Sequence, residues 1–255
     1  DPSMIRTSAR RRDGRWVIEG RKWFITGAGV ARHFVLVART SDDPRRGLTA
    51  FLFDREQPGW EIARRIPIMG PEEHGGHCEL VFDGLEIPDE NRLMGVGEGM
   101  KAVQIRLGIA RLTHCMRWLG ISSRAFEMLC QRANKRKIHN DGGTLADSEI
   151  TQLYVAELAA ELHGARLMTL SAAWAIENLG MSKARDEVAM IKFVVANTMN
   201  RILDRSLQIH GGLGMSDDTI LAYWFRHERA ARIYDGADEV HKASLGKRVL
   251  REYRR

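Results

Sequence analysis

Two periodicities meet at Met94-Gly95-Val96-Gly97-Glu98-Gly99, where three glycines in five residues give the backbone a joint. Before it, the runs Ile5–Arg10, Arg15–Glu19, Trp23–Thr26, Phe34–Arg39, Leu48–Asp54, Trp60–Arg64 and Glu79–Phe82 are short and rich in β-branched and aromatic residues. Gly, Pro or Asp bounds each run, and Asp13-Gly14 is a hairpin signal between the first two. Gly20, Gly59 and Gly84 read as turns, and Pro88 ends the last run. After the joint the period is helical. Lys101–Lys137 holds no proline and only two inner glycines. Ile150–Leu179 sets Ile150, Tyr154, Leu158, Leu162, Ala165, Thr169 and Ala172 on one face at steps of three and four. Lys183–His210 carries Val188, Ile191, Val195, Met199, Ile202 and Leu203 on one stripe, and Thr219–Arg232 and Asp238–Tyr253 finish the chain. Segments of about thirty residues make helices about 45 Å long, and long helices joined by short loops pack as a bundle. The expected fold is therefore α+β: an antiparallel β-sandwich or barrel over residues 1–94, then an up-down four-helix bundle over residues 95–255.

Composition narrows the function classes. With 44% hydrophobic and 28% charged residues the chain has ordinary globular usage. No apolar run approaches the roughly 20 residues of a membrane span. Cys78, Cys115 and Cys130 are widely spaced, which argues for a reducing compartment and against a disulfide framework or a zinc site. The formal net charge of +6 is carried mostly by arginine, whose planar fork suits phosphate. No nucleic-acid motif accompanies it, so a phosphate-bearing small ligand accounts for the basic excess. The opening Asp1-Pro2-Ser3 reads as the middle of a longer protein.

Three stretches carry candidate chemistry. In Ile233-Tyr234-Asp235-Gly236-Ala237-Asp238-Glu239-Val240-His241 a carboxylate stands beside a glycine, just ahead of a helix. Gly236 permits a tight turn and close approach of a ligand, and Asp238 suits the cap of the following helix. Asp235 then stands outside that helix against an apolar Ile-Tyr pair, where a carboxylate can act as a general base. A surface turn or second cap accounts for the same residues. In Lys22-Trp23-Phe24-Ile25-Thr26-Gly27-Ala28, strand alternation points Phe24 and Thr26 to one side. They offer a flat face and a hydroxyl to a planar ring, although a plain core strand fits too. Gln208-Ile209-His210-Gly211-Gly212-Leu213-Gly214 ends a long helix with backbone N–H groups suited to a phosphate or a cofactor rim, or simply stops the helix.

These stretches together resemble the acyl-CoA dehydrogenase family. Tyr234-Asp235-Gly236 is similar to its catalytic Tyr-Glu-Gly turn, Phe24-Ile25-Thr26 to its Trp-Ile-Thr segment, and Gln208–Gly214 to its Gln-Ile-Leu-Gly-Gly-Asn-Gly loop. The resemblance implies FAD as cofactor. Phe24 would pack on the flavin and Thr26 bond its edge near N5. Gln208, Gly211 and Gly212 would touch the adenosine-diphosphate half of a neighbouring subunit's FAD. Arg136 in Lys135-Arg136-Lys137 matches the Arg of an Arg-Lys-Thr-Phe-Gly stretch that binds the FAD pyrophosphate, whereas Ile138-His139-Asn140 and Asp141–Gly143 depart from it. Arg111 matches an arginine near the catalytic carboxylate and the acyl-CoA. Some members place their base immediately before that arginine; here that position is Ala110, which returns the role to Asp235.

The implied reaction is α,β-dehydrogenation of a fatty acyl-CoA: Asp235 takes the α-proton and the β-hydride goes to flavin N5. The thioester carbonyl would be held by the flavin ribityl hydroxyl and the backbone N–H of Asp235, with Arg111 and Gly236 as substrate-binding residues. The resemblance also implies a homodimer or homotetramer, with an intersubunit face on Ile150–Leu179 and Lys183–His210, and an electron-transfer flavoprotein as acceptor. It implies a cytoplasmic location in a bacterium, or the mitochondrial matrix or peroxisome in a eukaryote, and no metal site. A flavin oxidase of nitroalkanes or acyl-CoA, or a non-catalytic scaffold, are the alternatives. Two departures matter. The family's N-terminal helical domain and its Thr-Glu-Pro strand have no counterpart here, so the resemblance covers its middle and C-terminal domains. Asp replaces the usual Glu and is one methylene shorter, and a displacement of about 1 Å can cost on the order of a hundredfold in rate. The Asp-Gly-x-Asp-Glu-Val-His wording is similar to a subgroup of long-chain members that use Asp.

Overall fold

The computed structural model describes residues 2–72, 74–138 and 142–254. They form two compact units, Asp1–Arg106 and Leu107–Arg255. The first unit contains strands β1 (Ser8–Arg12), β2 (Arg15–Thr26), β3 (His33–Arg39), β4 (Leu48–Asp54), β5 (Trp60–Arg65), β6 (His77–Pro88) and β7 (Arg92–Leu93). They join in one sheet in the order β5-β6-β2-β1-β3-β4-β7. The pairings are antiparallel except β1 with β3, which meet in parallel at Ser8 and Arg39. Asp13 and Gly14, both at positive φ (49° and 79°), turn β1 into β2 as the hairpin signal requires.

The sheet curls onto itself. Phe53 of β4 and Phe82 of β6 have ring centroids 5.9 Å apart, although β2, β1 and β3 lie between their strands. In a flat sheet, steps of about 4.8 Å per strand would hold them about 19 Å apart. Phe34 stacks on Phe53 at 4.7 Å, and Trp60 of the far edge reaches Phe53 at 5.2 Å. Strand closure is thus driven by an aromatic interior.

Gly20 and Gly84 do not end strands, as their turn-like surroundings suggest; they lie inside β2 and β6. Ile18 pairs with Leu85 but Glu19 pairs with Asp83, so Gly84 is the extra residue of a β-bulge at φ 78°. Two expected short strands, Arg15–Glu19 and Trp23–Thr26, accordingly merge into one.

Among the described residues five α-helices follow: α1 (Gly99–Lys135), α2 (Glu149–Leu179), α3 (Arg185–His210), α4 (Leu221–Glu228) and α5 (Asp238–Glu252). Three are long. The fourth expected helix, Thr219–Arg232, is α4 closed by a 3-10 turn at Arg229–Arg232. The α3 stripe Val188, Ile191, Val195, Met199, Ile202 and Leu203 is buried throughout, each side chain contributing about 2 kcal/mol of transfer free energy. On α2, Leu158, Ala165, Thr169 and Ala172 are buried and Ile150, in the first turn, is exposed. Leu153, Leu167, Leu170 and Trp174 of α2 are also exposed, whereas α3 exposes no large apolar side chain among the described residues. The expectation of a free apolar face on both helices is corrected for α3, whose apolar surface is consumed inside its own bundle.

Candidate active site

The Asp235 turn is built by a chain that leaves the 3-10 turn abruptly. The N–H groups of Ile233 and Tyr234 both donate to the Ala230 carbonyl, at 2.8 and 3.1 Å. Asp235 (φ 55°) and Gly236 (φ 102°) then occupy positive φ in succession. Aspartate is among the few side chains that tolerate this conformation. Gly236 is sterically required, since a Cβ there would stand 2.7 Å from His241 Nε2.

Basic side chains from three helices hold the carbonyls of this turn. Arg111 Nε of α1 donates to the Asp235 carbonyl at 3.0 Å. His241 Nε2 of α5 lies 3.2 Å from the same oxygen. Lys192 Nζ of α3 donates to the Ala231 carbonyl at 2.7 Å and the Gly236 carbonyl at 3.2 Å. The Asp235 side chain is 11% exposed, and its Oδ2 lies 3.1 Å from His114 Nε2 of α1. The His114 ring stacks on Trp118 (5.8 Å between centroids, 19° between planes) and meets Tyr234 edge-on at 5.3 Å.

The surroundings are buried and charged. Lys192 is fully buried, its ammonium 5.3 Å from the Trp118 ring centroid and 5.8 Å from that of Tyr234, within cation–π range. Burial lowers its pKa, opposed by Asp238, Cys115 and Asp235. Arg117 forks onto Glu228, with Nη2 2.9 Å from Oε2, and its Nη2 also donates to the Tyr234 hydroxyl at 3.0 Å. Trp118 Nε1 donates to that hydroxyl at 3.2 Å. Burial raises the Tyr234 phenol pKa and pushes the Cys115 thiol up to about 12, which leaves it inert as a nucleophile.

Asp238 does not cap α5 as its position suggests. Ala237 is the N-cap, with no side-chain bond, and Asp238 is the first helical residue. Its carboxylate is 1% exposed and accepts from Arg232 Nε and Asn197 Nδ2, both at 2.8 Å. Pairing with Arg232 outweighs capping, because a buried carboxylate needs charged or hydrogen-bonding partners more than an accessible helix end needs a cap.

The structure thus brings Arg111, Asp235 and Gly236 together. In the sheet unit, Thr26 Oγ1 lies 2.8 Å from His77 Nδ1, and the Phe24 ring lies 6.3 Å from the His77 ring. Simple alternation does not produce this arrangement. The register shifts between Lys22 and Ile25, and Phe24 sits at φ 57°, rare for an aromatic residue. Such strain gathers at functional positions, and it leaves the Phe24 ring half exposed. Gln208 is exposed in the last turn of α3, and a Cβ on Gly211 or Gly212 would meet nothing within 4 Å. Arg136 is exposed just beyond α1, and its carbonyl accepts from Leu145 N at 2.9 Å. The sequence departure around it falls partly on residues 139–141, outside the described residues.

Sequence reasoning missed His114, Lys192 and His77. His114 lies one helical step after Arg111 on the same face of α1, and Lys192 interrupts an otherwise apolar stripe between Val188 and Val195. Both were visible as spacing. His77 pairs across the sheet from Thr26, a register no local pattern announces.

An apolar groove of about 510 Å³ between α1 and α2, lined by Met116, Leu119, Phe126, Leu162 and Leu170 among others, contains none of the named site residues. Among the described residues no His/Cys/Asp/Glu cluster could hold a metal, and no helix is long and apolar enough to cross a membrane.

Comparison with known proteins gives consistent matches. Residues 1–85 match the family profile for the acyl-CoA dehydrogenase middle domain, and residues 97–250 that for the C-terminal domain. FadE2 of Mycobacterium tuberculosis, a probable acyl-CoA dehydrogenase, is 37% identical over 98% of this chain and 62% of its own length. A solved structure from Mycobacterium abscessus, described as an acyl-CoA dehydrogenase, superposes with a TM-score of 0.95 at 31% identity, over 100% of this chain and 63% of that one. Butyryl-CoA dehydrogenase from Megasphaera elsdenii gives a TM-score of 0.89 at 26% identity, over 98% of this chain and 64% of that one. The chain therefore spans a little under two thirds of these three relatives, and only about a third of longer curated ones such as acyl-CoA dehydrogenase family member 11 of Rattus norvegicus, which is 34% identical.

Proposed function

The chain belongs to the acyl-CoA dehydrogenase family, and from that membership together with the Asp235 turn we propose that it takes part in FAD-dependent α,β-dehydrogenation of a fatty acyl-CoA thioester, with Asp235 as the base. The observation that carries this reading is the hold on the turn. Arg111 and His241 grip the Asp235 carbonyl while Lys192 grips that of Gly236, so the carboxylate is presented from a fixed backbone. A general base works when its geometry is set before the substrate arrives. Low exposure of the carboxylate also strips it of water that would weaken it as a base.

The residues at the candidate flavin positions suit that cofactor. The half-exposed Phe24 ring and the Thr26 hydroxyl would take the isoalloxazine. The open backbone at Gly211 and Gly212, with Gln208 and the exposed Arg136, would take the adenosine-diphosphate end in a neighbouring copy. The chemistry that bound FAD would supply is a hydride acceptor for the β-hydrogen. Asp235 takes the α-proton as the α C–H bond breaks, and its carboxyl group keeps that proton until product leaves. Use of a neighbour's cofactor makes a homodimer or homotetramer the working form, with Leu167, Leu170 and Trp174 of α2 as its apolar contacts. An electron-transfer flavoprotein is the acceptor.

Asp235→Asn keeps the shape and removes the proton acceptor. Single-turnover bleaching of the oxidised flavin band by an acyl-CoA should fall by at least about a hundredfold, with little change in acyl-CoA dissociation constant. A variant within a few-fold of the parent rate defeats the assignment of the base. Rapid peroxide release by the parent in air would mark an oxidase instead.

A further inference from the structure

The carboxylate of Asp235 has a neighbour that the reaction as described leaves idle. His114 Nε2 is 3.1 Å from Asp235 Oδ2. The histidine comes from α1, and nothing in the backbone of the turn needs it. The pair stands at hydrogen-bonding distance, and catalytic pairs commonly tighten further when substrate binds. The ring itself has little freedom. One face stacks on Trp118 and an edge meets Tyr234. Those two rings are tied in turn, since Trp118 Nε1 and Arg117 Nη2 both donate to the Tyr234 hydroxyl.

We infer that His114 is the positioning residue for Asp235: the imidazole donates Nε2–H to Oδ2 and so fixes the rotation of the carboxylate about Cβ–Cγ. This rests on the reading of Asp235 as the base. Two separate devices then orient the acid. The carbonyl grips of Arg111, His241 and Lys192 set where Cα stands. His114 sets which way the carboxylate plane faces. An aspartate needs the second device because its plane is carried by one short bond from a strained backbone, and an unpinned plane samples orientations that cannot meet a C–H bond. No proton is transferred to His114 in this role. The α-proton goes to Asp235, and the imidazole keeps the N–H it began with. The other charged or titratable groups around the pair are Arg111 and Arg117 of α1, Lys192 of α3, Glu228 of α4, Tyr234, and Asp238 and His241 of α5.

Two substitutions separate the hydrogen bond from the packing. His114→Phe keeps an aromatic ring against Trp118 and Tyr234 and removes the donor. His114→Gln gives up the ring and keeps an N–H at similar reach. With the FAD-loaded protein and butyryl-CoA and palmitoyl-CoA as probes, the rate of flavin reduction should fall at least about tenfold in His114→Phe with the acyl-CoA dissociation constant unchanged. His114→Gln should recover to within about threefold of the parent, the loss expected when a donor is kept at a less ideal angle. A His114→Phe protein as fast as the parent, or a His114→Gln protein as slow as His114→Phe, overturns the inference. Asp235→Asn in the same series separates the two claims: if it keeps the parent rate the base assignment has failed, and if it is inactive while His114→Phe is unimpaired only the role of His114 has failed. A second measurement needs neither flavin nor turnover. In the ¹⁵N spectrum of the parent chain, His114 Nε2 should lie in the protonated, pyrrole-type range and lose that preference in Asp235→Ala. A pyridine-type Nε2 in the parent overturns the inference even if every variant misfolds.

Discussion

The sheet unit and the helical unit solve burial in opposite ways. Inside the sheet unit the buried residues are aromatic and aliphatic, and the buried polar side chains among those described are only Thr7 and Thr49. The helical unit buries Lys192, Glu228 and Asp238 alongside His210 and His241. A buried charge pair is weak evidence of stability, because desolvation cancels most of its attraction. Charges would therefore be poor material for a bundle that needed only to be stable. They converge instead on one segment: Lys192 on the Ala231 and Gly236 carbonyls, Glu228 through Arg117 on Tyr234, Asp238 on Arg232. The aromatic interior closes a barrel. The buried charges fix a turn.

The same change made in both units should expose that difference most strongly. Arg117→Met leaves Glu228, 1% exposed, without its fork. The expected cost is about 3 kcal/mol, the lower end for breaking a buried pair, since the arginine itself is partly exposed. Arg64→Met in the sheet unit removes one of the two arginines on Glu79 and leaves Arg21 in place; both arginines are solvent-exposed, and stability should stay within error. Peptide-level hydrogen exchange resolves the two units in the intact chain. Protection should collapse from α4 through α5 in the first variant and stay unchanged in the second. Equal losses would mean that the buried pair has no special role.

That contrast also explains what could be read in advance. Both architectures were legible because each rests on a repeating pattern, such as the α3 stripe, whose every large member is buried. The Asp235 turn was legible because Gly236 and its carboxylate are adjacent in sequence. Of the groups that fix the turn, Arg111 was legible only through the family resemblance, whereas His114 and Lys192, more than a hundred and more than forty residues away in sequence, stood out by spacing without announcing that the turn is what they meet. Helical spacing puts Arg111 and His114 on one face, but no local rule says what that face meets. Nor could alternation foresee Phe24, since the register shift beside it resets which side each residue faces.

Smaller changes sharpen the comparison further. Lys192→Met is close in volume and withdraws the donor from the Ala231 and Gly236 carbonyls. Relief from burying a charge offsets part of the loss, leaving a net cost of about 2 kcal/mol. Ile18→Val in the sheet, where Ile18 is fully buried, removes one methylene and should cost about 1 kcal/mol. Denaturant midpoints give the sizes. Exchange protection gives the places: the lysine change should act on residues 231–241 and the isoleucine change across β2 and its neighbours. A lysine variant more stable than the parent would show that the charge is kept against stability, for the sake of the turn alone.

The smallest effect concerns pH, where both units should gain stability as pH rises, the helical unit in an acidic window and the sheet unit in an alkaline one. In the helical unit, burial holds the His241 imidazole below the ordinary histidine value of 6.5, opposed by the Asp235 carbonyl and by Asp238 and reinforced by Arg111 and Lys192. Between that lowered value and 6.5 the unfolded chain binds a proton that the folded chain does not. His241 therefore adds stability above pH 6.5, and that contribution is lost as pH falls through the window. In the sheet unit, burial lowers the Lys22 ammonium from 10.5 to about 8. Between about 8 and 10.5 the unfolded chain again holds the extra proton, so the sheet gains stability as pH rises through that range. The His241 contribution should stay under about 1 kcal/mol, because the Asp235 carbonyl and Asp238 offset part of the burial that lowers it. Exchange protection factors, from which intrinsic pH dependence has been divided out, should therefore fall around residues 234–241 on acidification and rise in β2 and β6 on going alkaline. His241→Gln keeps a donor for the Asp235 carbonyl without a titrating ring and should flatten the acid limb; Lys22→Met should flatten the alkaline climb. An acid limb that survives unchanged in His241→Gln would show that the imidazole is not its origin.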